Sequence, residues 1–406
     1  MPTLINVEDP SAQRPAPPGG FALFNFGFRP FFFFAALFAV LSILVWVGLY
    51  AGHVDLNLTS PIGLWHAHEM LFGYTTAAIA GFFLTVVPNW TKAKAQKGPV
   101  LMVLVGLWVL GRVVMWAQGA LPYGLVAVAD MAFLVALTAL VVRPLIDPQH
   151  RRQMMFLAIL ACLIVANALT HLEVFGFGQD LGARGLALGL DATLVLIAVM
   201  GGRVTPSFTS SFIGHADPSV KVLQRPRVDR AVLAATWGLL FADQVWALSP
   251  LSGTVALIAA ALNLLRLSGW QGHRTLGSPI LWVLHLGYLW LVVGLALKGL
   301  ADFGIGDPAA ALHALTIGAI GTMTVAIMSR ASLGHTGRVV KAHALTVSAY
   351  VLISLAALVR LAVPLWPEAS VELVMLSGTL WMLAFLLFFV IYAPILVRPR
   401  IDGRPG

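Results

Sequence analysis

The chain is expected to be an all-α polytopic membrane protein of about twelve transmembrane helices. Three observations predict this. Hydrophobic residues make up 59% of the 406 and charged residues only 10%, a balance that no water-facing surface tolerates. The apolar residues are gathered into runs of about 20, the length that crosses the hydrocarbon core as a helix. Lysine and arginine are confined almost entirely to alternate connections between those runs, as the positive-inside rule requires.

Taken in order, residues 1–30 form a cytoplasmic N-terminal tail expected to be flexible. They are proline-rich and polar (VEDPSAQRPAPPGG) and lack the basic start and apolar core of a signal peptide. A twelve-helix transmembrane domain follows over 31–397. Its segments start near Phe31, His66, Pro99, Leu121, Met154, Leu181, Asp229, Leu251, Ser278, Pro308, His343 and Val371. The seventh and eighth are short and separated only by ALSPLSG. Residues 398–406 form a basic cytoplasmic tail. The longest connection, about 201–228, carries GGRVTPSFTSSF and is too short for an extramembrane domain. No repeat relates the two halves.

With the N-terminus inside, only Arg112, Arg184, Lys298 and Arg360 fall near the outer side; the remaining lysines and arginines fall inside. Both termini are then cytoplasmic. The net charge of +8 belongs to these inner connections and signals no nucleic-acid partner. The single cysteine, Cys162, excludes an internal disulfide, and the lack of C-x-x-C-H excludes thioether-linked haem.

The most informative stretch is WHAHEMLFGY, residues 65–74. His66, His68 and Glu69 stand at the mouth of an apolar run, beside the interfacial Trp65. Ionisable groups are costly in lipid and need a partner, a cavity or a metal, so the stretch reads as a metal or haem site. Topology gives each histidine a depth. His66, His68, His171 and His313, from three helices, share the outer third, with Glu173 beside His171. His285 lies deeper; His215, His273, His335 and His343 are at the inner face. His150 and His53 are in loops.

His66 and His68 are two residues apart, about 200° around a helix, and serve different groups on opposite sides. His66 with His313 suits a bis-histidine haem b; His68, His171 or Glu69 suits copper or a second haem. Arg112 is placed to pair a haem propionate. Glu69 is the candidate catalytic residue, as a proton relay, with metal ligation as its alternative. A lone intramembrane histidine also serves simply to hydrogen-bond a neighbouring helix, a reading that applies most to His285. Asp130 and Asp191 suggest a solvated cavity or a proton path, and Asp243 suggests a pair with a neighbour. SRASLGHTGR, residues 329–338, reads as a basic cytoplasmic turn, with a lipid-headgroup or quinone site as its alternative.

WHAHEMLFGY followed by GFFLTVVPNW (81–90), with FNFGFRPFF (24–32), GGRVTPSF (201–208) and HALTIGAIGTMTVAIMSRASLGHTGR (313–338), resembles the NnrS family. The resemblance implies a multi-pass protein of the bacterial inner membrane that contains haem and copper and acts in nitric oxide metabolism and nitrosative stress. A more distant resemblance is to the catalytic subunits of heme–copper oxidases and nitric oxide reductases. His66 and Met70, then Gly81 and Phe83, are similar to the signature of their second helix, and His313, Leu315, Thr316 and Gly318 to their tenth. That resemblance implies an axial haem pair of His66 and His313, with Met70 beside it. The sixth and seventh segments lack the histidines that supply copper in those enzymes, so a second metal here would draw on His68, His171 and His285.

The leading expectation is a haem protein that binds, senses or reduces nitric oxide. An oxidoreductase role would need electrons from quinol or a periplasmic donor. The rivals are a proton-coupled secondary transporter, for which twelve helices are also a common plan, and a haem or copper carrier. No G-x-x-x-x-G-K-[ST] supports ATP-driven transport.

Overall fold

A computed structural model describes residues 20–404. The proposed N-terminal tail therefore falls largely outside the described residues, as do positions 405–406 of the C-terminal tail. Twelve long helices follow one another: α1 (Phe28–Tyr50), α2 (Ile62–Thr91), α3 (Pro99–Trp116), α4 (Tyr123–Ile146), α5 (Met155–Val174), α6 (Leu181–Ala216), α7 (Pro226–Val245), α8 (Pro250–Ser268), α9 (Pro279–Asp302), α10 (Pro308–His335), α11 (Ala344–Ala362) and α12 (Ser370–Val397). Among the described residues eleven are long and apolar enough to cross a bilayer. The exception is α7, the seventh segment, where Arg227, Asp229 and Arg230 at one end and Asp243 at the other interrupt the apolar run. The chain is thus a polytopic helical membrane protein.

Local chemistry sets the helix starts. Proline, which fits the first turn because no N–H partner is needed there, opens α3, α7, α8, α9 and α10. The Ser249 hydroxyl accepts from Ser252 N at the start of α8, and the Asp307 carboxylate from Ala310 N at the start of α10, both as N-caps. Glu173 receives Gly182 N (2.7 Å) at the start of α6.

Three helices occupy the centre: α2, α6 and α10, which recur at every fourth position. Their apolar windows are 83%, 72% and 67% buried; α9, packed against α10, is also 67% buried, and the other spans are 33–44% buried. Between them, with α1, lies an apolar cavity of about 80 Å3 lined by Thr75, Thr193, Ile197, Met200, Ile320 and Met323, among others. Around the centre stand three arcs: α3–α4–α5, α7–α8–α9, and α11–α12–α1. The Arg29 guanidinium closes the last arc by donating to the carbonyls of Leu396 (2.8 Å) and Arg398 (2.7 Å), a cation at the end of α12 where the helix dipole favours one. Small residues allow close approach elsewhere, as helix packing in lipid requires. A Cβ on Gly185 of α6 would stand 2.4 Å from the Ala166 carbonyl oxygen of α5.

Two of the central helices contain a π-helical stretch. Glu69–Thr75 follows directly after His68 in α2, and Ala314–Gly321 directly after His313 in α10. The wider turn leaves carbonyls in need of donors, and the Thr75 hydroxyl supplies one by donating to Met70 O at 2.9 Å. Such π turns re-aim side chains and concentrate at functional sites. Here both lie at the end of the bundle that carries the histidines.

Candidate metal centres

The densest polar network joins α2 to the arc α3–α5. His68 and Glu69 leave α2 side by side. Arg112 comes from α3. Tyr123 opens α4, with Asp130 two turns further along the same face. Asn167 and His171 are one turn apart on α5. All of these except Tyr123 are buried.

The bonding pattern is directional. His68 Nδ1 is 3.1 Å from Glu69 Oε1, and His171 Nδ1 is 3.1 Å from the Tyr123 hydroxyl. The Nε2 atoms of both rings face a single oxygen, Asp130 Oδ2, at 3.3 and 3.1 Å. Asn167 steadies the same place: its Nδ2 donates to Asp130 Oδ2 at 2.7 Å, and its Oδ1 is 2.9 Å from His68 Nε2. Ligand atoms of His68, Asp130 and His171 all lie within 4.8 Å of one another, and among the described residues no other such group of three is present. Nitrogens converging on a carboxylate, with the far nitrogen of each ring held by an outer partner, is the pattern of a histidine–carboxylate metal site. The three residues could hold a metal ion.

Charge supports the same reading. Arg112 donates to Glu69 Oε1 at 2.5 Å and pairs with Asp130 Oδ1. Trp116 Nε1 donates to Glu69 Oε2 at 2.7 Å. Two buried carboxylates face one guanidinium, so the network carries an excess negative charge that a cationic metal, or a proton on a histidine, offsets. Arg112 is committed to these two carboxylates, which leaves it a part of this network rather than a free partner for a propionate.

His66 faces the other way, toward the arc α11–α12–α1. Its ring stacks on Trp46 of α1 at 4.1 Å between centroids. It makes no hydrogen bond among the described residues. His313 of α10 lies within electrostatic reach of His66, and Arg360 of α11 within reach of both. The His313 Nδ1–H donates to Ala309 O at 2.6 Å, which fixes the tautomer and leaves Nε2 as an unprotonated ligand atom. Met70 sits one turn from His66, its Sδ 3.4 Å from the Ser42 hydroxyl oxygen. Two half-buried imidazoles with ligand nitrogens to spare thus stand on α2 and α10 with an arginine near them.

His285 is at neither place. It bonds Thr209 Oγ1 at 2.9 Å through Nε2, near Trp270, toward the opposite end of α9. Its hydrogen bond to a neighbouring helix is the simpler of the two roles considered for it. His343 caps α11 by accepting from Leu345 N.

The NnrS protein family model matches residues 22–400. The chain belongs to the NnrS family. No curated protein matches it. Membership fits a haem-related membrane protein of the nitric oxide response. For an NnrS-family chain, the two histidine sites become the natural places to look for the family's chemistry.

Several members of these sites escaped the reading of the sequence. Asn167 and Tyr123 were not singled out, and Arg360 was placed only as an outer-side charge. Asn167 could have been found as the amide one helical turn before His171 in an otherwise apolar run. Tyr123 carried no signal beyond its interfacial position, and Arg360 none that linked it to histidines on other helices.

Proposed function

We propose that this NnrS-family protein is a haem- and metal-binding protein of the bacterial inner membrane that binds or reduces nitric oxide at the histidine-bearing end of its bundle. The observation that carries the reading is the convergence of His68 Nε2 and His171 Nε2 on Asp130 Oδ2 with both Nδ1 atoms held from outside. His68, Asp130 and His171 would hold the metal, copper being the ion that the family resemblance suggests. His66 and His313 would hold haem b, and Arg360, in place of Arg112, would supply a cation for a propionate. When bound, these groups supply redox chemistry and a coordination site for a diatomic ligand.

The chain's own residues do the rest. Glu69 orients His68 and, as the acid nearest the metal ligands, can hold or pass a proton at Oε1 or Oε2. Asn167 and Tyr123 fix the two ring planes. The apolar cavity between the central helices suits a small uncharged gas, because such cavities stay dry and bind apolar ligands. A groove of about 430 Å3 between α1 and α3, lined by Phe34, Phe38, Trp108 and Trp116 among others, runs to Arg112 and offers entry from lipid. Reduction would draw electrons from quinol or a periplasmic donor.

The test is a reduced-minus-oxidised optical spectrum of the purified protein with metal analysis on the same sample, before and after nitric oxide. A sharp α-band, stoichiometric iron and a spectral change with nitric oxide are expected. His66→Ala and His313→Ala should each abolish the low-spin haem spectrum, and His343→Ala should leave it intact. A featureless spectrum without metal would overturn the reading in favour of a proton-coupled transporter, and a substoichiometric, labile cofactor would favour a carrier.

A further inference from the structure

The arc α7–α8–α9 holds a second ionic cluster against the central helix α6. Short loops join α7 to α8 and α9 to α10, so the cluster lies at the same end of the bundle as the histidines. Asp191 comes from α6, Asp243 from α7 and Ser252 from α8; Lys298 and Asp302 are one turn apart on α9. Lys298 Nζ is 3.0 Å from Asp243 Oδ1 and 2.8 Å from Asp302 Oδ2. The Ser252 hydroxyl donates to Asp243.

Asp191 is the unbalanced member. It is 4% exposed, and its Oδ2 has no hydrogen-bond partner among the described residues. Its carboxyl group faces that of Asp243. Two carboxylates are acceptors only, so a bond between them exists only when one carries a proton. Charge leads to the same place. The charged groups facing Asp191 are Asp243, Lys298 and Asp302. Three carboxylates against one ammonium leave two excess negative charges in an apolar interior, where an unpaired charge is strongly disfavoured. The three carboxylates do not form a cage of metal dimensions, since the compact group of ligand atoms is that of His68, Asp130 and His171. The cluster already holds a cation, the Lys298 ammonium.

We propose that Asp191 and Asp243 share an exchangeable proton and form an intramembrane proton-binding site distinct from the histidine centres. The side chain of Lys298 is 17% exposed and is the cluster's link to the exterior. When the proton leaves the pair, the added negative charge rests on Asp243 and Asp191, and the Lys298 ammonium beside Asp243 offsets part of it. Uptake reverses the same step, with no oxidant or reductant involved. The site stands independently of the nitric oxide reading.

Infrared difference spectroscopy of the purified full-length protein in lipid, titrated with pH in H2O and in D2O, tests the proposal. The wild type should show the carbonyl band of a protonated carboxylic acid that shifts in D2O and disappears as the pH rises. Asp191→Asn and Asp243→Asn should each abolish that band, whereas Glu69→Gln should retain it. Two variants guard against one failing to fold, and Asp191→Asn is nearly isosteric. Absence of the band in the wild type, or its survival in both aspartate variants, would overturn the proposal. So would a titration midpoint that moves with sodium concentration, which would make the site one for a monovalent metal cation.

Discussion

The α2 network with the arc α3–α5 and the α6 cluster with the arc α7–α9 occupy equivalent frames. Each joins a central helix to three peripheral ones, at the same end of the bundle, and each sets two or three carboxylates against a single permanent cation. They differ in their nitrogen donors and in the shape of the cation. The first has two imidazoles and a planar arginine fork that spans Glu69 and Asp130 together, which leaves Asp130 Oδ2 for His68 and His171. The second has no imidazole, and the compact ammonium of Lys298 is drawn to Asp243 and Asp302, leaving Asp191 Oδ2 without a donor. An excess of negative charge, one in the first frame and two in the second, would then suit a metal where imidazoles are present and a proton where they are not. The donor set decides the ligand where the scaffold does not.

The largest expected effect comes from removing the arginine that organises the first frame. Arg112→Leu would leave Glu69 and Asp130 buried without their countercharge, a loss of about 3–5 kcal/mol when one partner of a buried ion pair is deleted. Thermal unfolding in detergent measures it. If the melting temperature is unchanged, the carboxylates are balanced by something other than Arg112, and the comparison with Lys298 fails.

Next in size are the proposed ligands. His68→Ala and His171→Ala should each lower metal affinity by more than the roughly 10- to 100-fold associated with losing an outer-shell partner, read as metal per protein after dialysis against graded chelator. Asp191→Asn should leave the same ratio unchanged. Equal metal loss in the Asp191 variant would show that the two frames act as one site.

How much of this could be read in the sequence follows from the range of each signal. Helix runs are local, so eleven of the spans are legible from composition, and α7 departs because its end charges pair elsewhere: Asp229 with Arg266 and Asp243 with Lys298. The opposed directions of His66 and His68 are legible too, because two residues on a helix are about 200° apart. What joins them to partners is not local. Arg112 has the same sequence environment whether it faces a propionate or Glu69, and only the packing of α3 on α2 decides. Asp130 could be seen as a buried acid, but its place as the meeting point of two imidazoles depends on three helices arriving at one height. The π turns after His68 and His313 likewise leave no mark in the residue pattern.

The smallest expected effect is the sharpest probe of the first frame. Glu69 and Tyr123 hold equivalent positions on the two imidazoles, each 3.1 Å from an Nδ1, but Glu69 is a carboxylate that also anchors Arg112 and Trp116, whereas Tyr123 is a neutral hydroxyl on one ring. A carboxylate partner raises ligand basicity and fixes the tautomer, and losing it costs metal affinity about 10- to 100-fold. Glu69→Gln should fall in that range. Tyr123→Phe removes only one neutral hydrogen bond, so its loss should be about tenfold or less, with the ring of residue 123 still packed against His171 and Phe175. Chelator competition on the two variants in parallel measures the ratio. If Tyr123→Phe is as damaging as Glu69→Gln, the hydroxyl is setting the His171 tautomer alone; if neither variant moves metal affinity, the outer partners do not support a metal, and the network balances its charge with a proton as the Asp191 cluster does.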